Sequence, residues 1–212
     1  MSLPLQPGPP RPRWLTAIFP ALLVIVGLGG LGALGLIRRQ PVEIVLTGPG
    51  HTGDYSRIAE RLLATAKKRI RVQQYVVRPD DDGPVAALFA GLVAAQARGV
   101  DVRVALDKGR LYGTNAPDPK NDDAAAWLKA HNIRVEWDEV SRTSHAKILF
   151  VDDHIALVGS HNWTRAALLD NREVSVVLTE PAQLAPIREL IESIPGMAED
   201  VAVPVAVSSA QP

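Results

Sequence analysis

From His145 to Trp163 the chain reads H-A-K-I-L-F-V-D-D-H-I-A-L-V-G-S-H-N-W, and Asn171-Arg172-Glu173 follows shortly after. Apart from Lys147, residues 146–151 are apolar and include the β-branched and aromatic side chains Ile148, Phe150 and Val151, the pattern of a buried strand. Side chains two apart on a strand share a face at about 6.6–6.8 Å. His145 and Lys147 therefore project together from one edge of a sheet. Asp152-Asp153 supplies a tight turn, and residues 155–158 return as a second apolar strand ended by Gly159-Ser160. Residues 162–169 read as a short helix, so Ser160 and Asn162 lie where backbone N–H groups favour an anion. Residues 173–179 form another strand with Glu173 at its start.

His145, Lys147, Asp152, Gly159, Ser160 and Asn162 at these spacings, with Glu173 beyond, resemble the HxKxxxxD(x)6GSxN signature of the phospholipase D superfamily. That resemblance implies phosphodiester hydrolysis through a phosphohistidine. The residue types suit such chemistry. A phosphodiester anion repels nucleophiles, so its charge must be neutralised while an unprotonated nitrogen attacks phosphorus. His145 offers a neutral imidazole near pH 7 that also leaves well in the second step. Lys147, Asn162 and the Ser160 region hold the non-bridging oxygens and stabilise transition-state charge. A carboxylate on the other ring N–H fixes the histidine tautomer. The resemblance gives that role to Glu173 and has Asp152 support the site from the turn. Taken singly, each residue has an ordinary explanation as a packing histidine, solvated lysine, hairpin turn or helix cap. Their joint spacing favours catalysis. The mechanism calls for no cofactor and no metal.

The motif occurs once, yet the reaction also needs a group that protonates the leaving oxygen and later activates water. The N-terminal half contains no H-x-K, and His51 lacks a companion lysine. A twofold homodimer that brings one His145 from each subunit to a shared site meets the requirement.

Residues 14–37 carry no charge and are flanked by Arg11, Arg13, Arg38 and Arg39. At about 1.5 Å per helical residue they span a ~30 Å hydrocarbon core. Five glycines between positions 27 and 35 speak against a soluble core helix. The expectation is residues 1–13 as an N-terminal tail and 14–37 as an uncleaved single-pass anchor. The enzyme domain then lies on the extracytoplasmic side. Cleavage near Ala33-Leu34-Gly35, releasing a secreted or periplasmic form, is the alternative. Without cysteine, redox usage says nothing of compartment.

Residues 42–194 alternate strand and helix: strands at 42–46, 70–77, 100–106 and 133–137, and helices at 55–68, 84–98, 124–131 and 181–194. With the motif strands, this predicts an α/β fold, a three-layer α/β/α sandwich around a mixed sheet. Residues 195–212 read as a flexible tail. The long irregular stretch 108–123 follows a strand that ends near the site. It offers Lys108, Arg110, Tyr112 and Lys120 as possible substrate contacts, while Arg142 and Arg165 bracket the motif.

Lys67-Lys68-Arg69 with Arg71 is the single basic cluster. It reads first as a helix C-terminus, where cations suit the dipole, and second as a nucleic-acid or anionic-lipid patch. Asp80-Asp81-Asp82 reads as a turn before a helix rather than as metal ligands. Since 23 Lys and Arg balance 23 Asp and Glu, strong nonspecific attraction to a polyanion is not expected. Nucleic acid and phospholipid are the two substrate classes, with the nuclease reading ahead by a small margin. A silent membrane-bound scaffold is the third reading, disfavoured because His145 and Lys147 are both retained.

Overall fold

Alternating apolar periods of two and about 3.6 residues give strands and helices in turn, and the computed structural model describes residues 42–199 apart from 112. The expected span 14–37, the N-terminal tail, Tyr112 and everything after 199 lie outside the described residues. Among those described, no helix is long and apolar enough to cross a membrane.

The strands are β1 (Glu43–Thr47), β2 (Arg69–Gln74), β3 (Asp101–Leu106), β4 (Arg134–Trp137), β5 (Lys147–Val151), β6 (Ile155–Gly159) and β7 (Glu173–Leu178). They form one seven-stranded sheet in the order β1-β7-β6-β5-β2-β3-β4. β2, β3 and β4 run parallel, and β5, β6, β7 and β1 pair antiparallel outward from β2. The sheet is mixed, as expected. The helices are α1 (Asp54–Thr65), α2 (Pro84–Ala97), α3 (Asp122–Ala130), α4 (Arg165–Leu169) and α5 (Pro181–Glu192).

Each sheet face buries its own core. Ile70, Val72, Val104, Leu149, Leu157 and Val177 point toward α1, α2, α3 and α4 and share one apolar cluster with them. Ala105, Ile148, Phe150 and Ala156 point the other way, against Leu184 and Ile191 of α5 and on to Ile194 and Met197. The outer layer on that second face is thus one helix extended by residues 194–199, so the part of the expected tail at 195–199 is packed on the sheet.

The reason is electrostatic. Arg71 and Arg103, 2% and 4% exposed, sit on the inner second face and need acceptors. Arg71 Nε donates to Met197 O at 2.7 Å, and Arg103 donates to Gly196 O at 2.8 Å. Asp101 pairs with both guanidinium groups. Arg69 is likewise buried and pairs with Asp153 and Glu192. The basic cluster therefore divides, leaving only Lys67 and Lys68 exposed.

Two helix boundaries differ most from expectation, each by three residues. α1 stops at Thr65 because the backbone N–H groups of Lys67, Lys68 and Arg69 all donate to the Asp152 carboxylate, at 2.9, 2.7 and 3.0 Å. α4 starts at Arg165 rather than 162, because the cap is Thr164, whose hydroxyl accepts from Ala167 N. Residues 161–163 are engaged elsewhere, with Trp163 bridging to Val77.

Candidate active site at one edge of the sheet

Strand register decides which residues meet. Gln74 pairs with Lys147, Gly159 with Ser175 and Thr47 with Glu173, while Leu106 stands beside Gln74. One edge of the sheet thus gathers the carboxyl ends of β1, β2, β3 and β6 with the starts of β5 and β7. His145, Lys147, Ser160 and Glu173 all lie along it.

His145 is exposed just before β5, whereas Lys147 is buried at 5% exposure. Their side chains converge as the period of two demands: Lys147 Nζ lies 3.1 Å from His145 Nδ1 and donates to His145 O at 2.7 Å. Burial pulls the Lys147 ammonium below the usual lysine value, and the carboxylates of Glu173 and Asp107 offset part of that. The pair can present one cation and one imidazole to a single anion.

Glu173 accepts hydrogen bonds from Ser160 Oγ and from Asn171 Nδ2, the latter at 3.0 Å. Its partners are these two side chains rather than the His145 ring. Ser160 Oγ also accepts from Val174 N at 3.0 Å, so β6 is fastened to β7 where the motif turns. Gly159 is required there. A Cβ at 159 would lie 2.3 Å from Val174 O and 2.4 Å from Ser175 Cα, backbone atoms that cannot give way. Asn162 is half-buried, and its Oδ1 lacks a protein partner.

His161 is the other histidine of the GSxN segment, and it is sealed. It is fully buried, held by Thr47 Oγ1 at 2.9 Å and Ser175 Oγ at 2.7 Å, and stacked on Tyr55 at 4.5 Å. Burial drives its pKa down to about 4, against a smaller opposing pull from Glu173. Among these two, only His145 can reach a substrate.

Asp152 stands apart from this group. It lies at the far end of β5, roughly 20 Å from His145 for seven extended residues at about 3.3 Å each. Its three backbone bonds make it the anchor of the α1–β2 turn, not a contributor to the site. Of the loop residues, Lys108 is tied to Asp122 at 2.6 Å and lies over the Trp137 ring. Lys120 is tied to Asp107 at 2.6 Å and Asp118 at 3.2 Å. Arg110 donates to Asn115, and Arg165 lies 3.8 Å from Asp82. Arg142 is exposed. Asp80 accepts from Ala86 N at the start of α2, a capping role. Among the described residues no group of three or more metal-ligating side chains comes together.

Three residues at this edge were not singled out from the sequence: Tyr75, Asp107 and Gln73. The Tyr75 ring lies 4.3 Å from the His145 ring, centroid to centroid. A readable signal existed, for Gln73-Gln74-Tyr75 and Asp107 are polar residues at the carboxyl ends of parallel strands, where sites gather. Beside His145 opens a cavity of about 560 Å3, bordered by Gln73, Asp138, Arg142, Ser144, Leu190 and Ile194.

Comparison with known proteins bears on the family and the fold. The model of the family described as "Cardiolipin synthase, PLD-like domain" matches residues 60–194. The chain is 30% identical over 149 residues to "Phospholipase D" of Rickettsia bellii, covering 70% of this chain and 66% of that one. It is 33% identical over 100 residues to "Phospholipase D" of Rickettsia conorii, covering 47% and 46%. The chain thus spans less than two thirds of the length of these relatives. Among solved structures, a phospholipase D family member, Nuc from Salmonella typhimurium, superposes with a TM-score of 0.59 at 24% identity, over 76% of this chain and 97% of that one.

Proposed function

The chain belongs to the phospholipase D superfamily, within the family of cardiolipin synthase and phospholipase D-like domains, and from that premise we propose that it hydrolyses the phosphodiester of a phospholipid through a phosphorylated His145. The observation that carries the reading is the His145–Lys147 pair, an accessible imidazole beside a buried ammonium. Lys147 and Asn162 hold the non-bridging oxygens, and Ser160 and Glu173 fix the motif turn beside them. The His145 nitrogen forms a bond to phosphorus as the P–O bond to the leaving alcohol breaks, and an acid delivers a proton to that oxygen. Water then attacks the phosphohistidine and returns the imidazole.

The acid of the first step and the base of the second is the His145 of a second copy. Exposed apolar side chains along the edge strand β1 and its neighbour β7 support pairing: Val42, Ile44 and Val174 are 42%, 65% and 50% exposed. Apolar surface left open this way favours a protein partner. With two histidines required, mixing and refolding wild type with His145→Ala protein should lower activity as the square of the wild-type fraction. A linear fall would show that each subunit acts alone.

Phospholipid is preferred over nucleic acid for a physical reason. A polynucleotide needs several unpaired cations along its track, and Lys108 and Lys120 are already committed to Asp122, Asp107 and Asp118. A substrate with one phosphodiester needs only Lys147. The membrane anchor proposed at 14–37 sets the enzyme beside such lipids. Cleavage of nucleic acid is the second reading, favoured by exposed Arg110 and Arg142 at the rim. The test is hydrolysis in EDTA of phospholipid vesicles, single-stranded DNA and duplex DNA by the full chain. Turnover of vesicles alone is the expected result; cleavage of DNA alone would overturn the lipid reading.

A further inference from the structure

A second constellation lies directly behind His145. The segment 138–146 that leads from β4 into the site has no regular structure, yet its last residues are tightly held. Asp107, 1% exposed at the end of β3, accepts the Ser144 N–H through Oδ1 at 2.6 Å. Gln73 Nε2 donates to the Ser144 hydroxyl at 2.6 Å. The residue before His145 is therefore fixed at both backbone and side chain.

Asp107 is itself held. Its Oδ2 lies 2.6 Å from Lys120 Nζ. That ammonium lies 4.7 Å from the Tyr75 ring centroid, and Lys147 Nζ lies the same distance from that ring. The ring packs against His145 at 4.3 Å, tilted by 50°. Fully buried Asn121 closes the set, donating to Tyr75 O at 2.9 Å and Asp107 O at 2.8 Å and accepting from Val77 N at 2.8 Å.

We propose that Asp107 is a positioning residue for His145 and Lys147, acting through Ser144 on the backbone and through Lys120 and the Tyr75 ring on the side chains. This inference rests on the reading of His145 as the nucleophile. In-line attack requires the imidazole nitrogen, phosphorus and leaving oxygen to align, and a displacement of about 1 Å can cost on the order of 10²-fold in rate. An exposed histidine at the start of a strand has no such precision of its own. The buried carboxylate supplies it, and its charge also offsets the two ammonium groups gathered on one aromatic ring. The loop lysine at 120 is consequently part of the scaffold.

The test is Asp107→Asn in the full chain, which keeps an acceptor for Ser144 and removes the charge. The expected result is a kcat lowered by about 10-fold or more with KM within about 2-fold. The alkaline limb of kcat/KM should move to lower pH, because Lys147 loses a neighbouring negative charge and gives up its proton sooner. The His145 ring-proton resonance, set by the Tyr75 ring current, should move as well. A folded variant with wild-type kcat, an unmoved alkaline limb and an unmoved resonance overturns the proposal.

Should Asp107→Asn fail to fold, Tyr75→Leu decides: loss of kcat, restored by Tyr75→Phe, supports the buttress, and a wild-type rate refutes it. If the wild type hydrolyses no phosphodiester, the nucleophile reading falls on its own. The resonance shift then still decides whether Asp107 positions the ring.

Discussion

His145→Ala should abolish phosphodiester hydrolysis, lowering kcat by about three orders of magnitude or more, as removal of a covalent nucleophile does. The fold should be untouched. His145 is exposed, and its contacts are the Tyr75 ring, the Lys147 ammonium and a backbone oxygen that alanine retains. Initial rates and a thermal melt on the same sample separate the two effects. A rapid quench of the wild type should trap phosphate on the imidazole, as an adduct stable in alkali and labile in acid. Phosphate found on another side chain, or turnover surviving the substitution, would end the phosphohistidine mechanism.

Asp152→Ala should act in the opposite manner, on stability. One carboxylate satisfies three successive backbone N–H groups between α1 and β2. Hydrogen bonds to a charged group contribute about 1.5–3 kcal/mol each. With a discount for solvent at this partly exposed turn, a loss of about 3–5 kcal/mol is expected. Asp152 also has φ 52°, a conformation that asparagine tolerates far better than alanine.

The same carboxylate shapes acid sensitivity. Burial pushes its pKa up, but the N–H groups of Arg69, Lys68 and Lys67 outweigh that and hold it below 3.8. A depressed native value means the contribution is whole above the unfolded pKa and disappears as pH falls through the native one. Wild type should therefore lose this share of stability below about pH 4, and Asp152→Asn should lack that component. Chemical denaturation against pH measures both. Because Asp152 is far from His145, turnover per folded molecule should match wild type. An alanine variant that melts like wild type, or one that is folded but inactive, would refute the anchoring role.

How far the sequence was legible depended on the range of the forces involved. The β5–turn–β6 unit was readable because its apolar runs and the Asp152-Asp153 turn are set locally. So was the convergence of His145 and Lys147, a direct result of the strand period. The start of α4 was misread since Asn162 and Thr164 are both acceptable caps by local chemistry, and the choice is made by Trp163 packing near Val77 and Tyr55. Arg69 and Arg71 read as a helix C-terminus or a polyanion patch because their acceptors lie some 30 to 130 positions away in sequence. Lys120 looked available because Asp107 becomes its neighbour only once β3 and the following loop are folded.

The strap formed by residues 196–199 has a practical corollary for trimming the gene. The helical pattern suggests that the catalytic unit can be cut after 194. Such a cut strips the carbonyl oxygens of Gly196 and Met197 from Arg103 and Arg71, uncovering one side of two buried guanidinium ions that Asp101 still pairs. Recombinant versions ending at 194 should come out as inclusion bodies, whereas those running through Glu199 should yield native material.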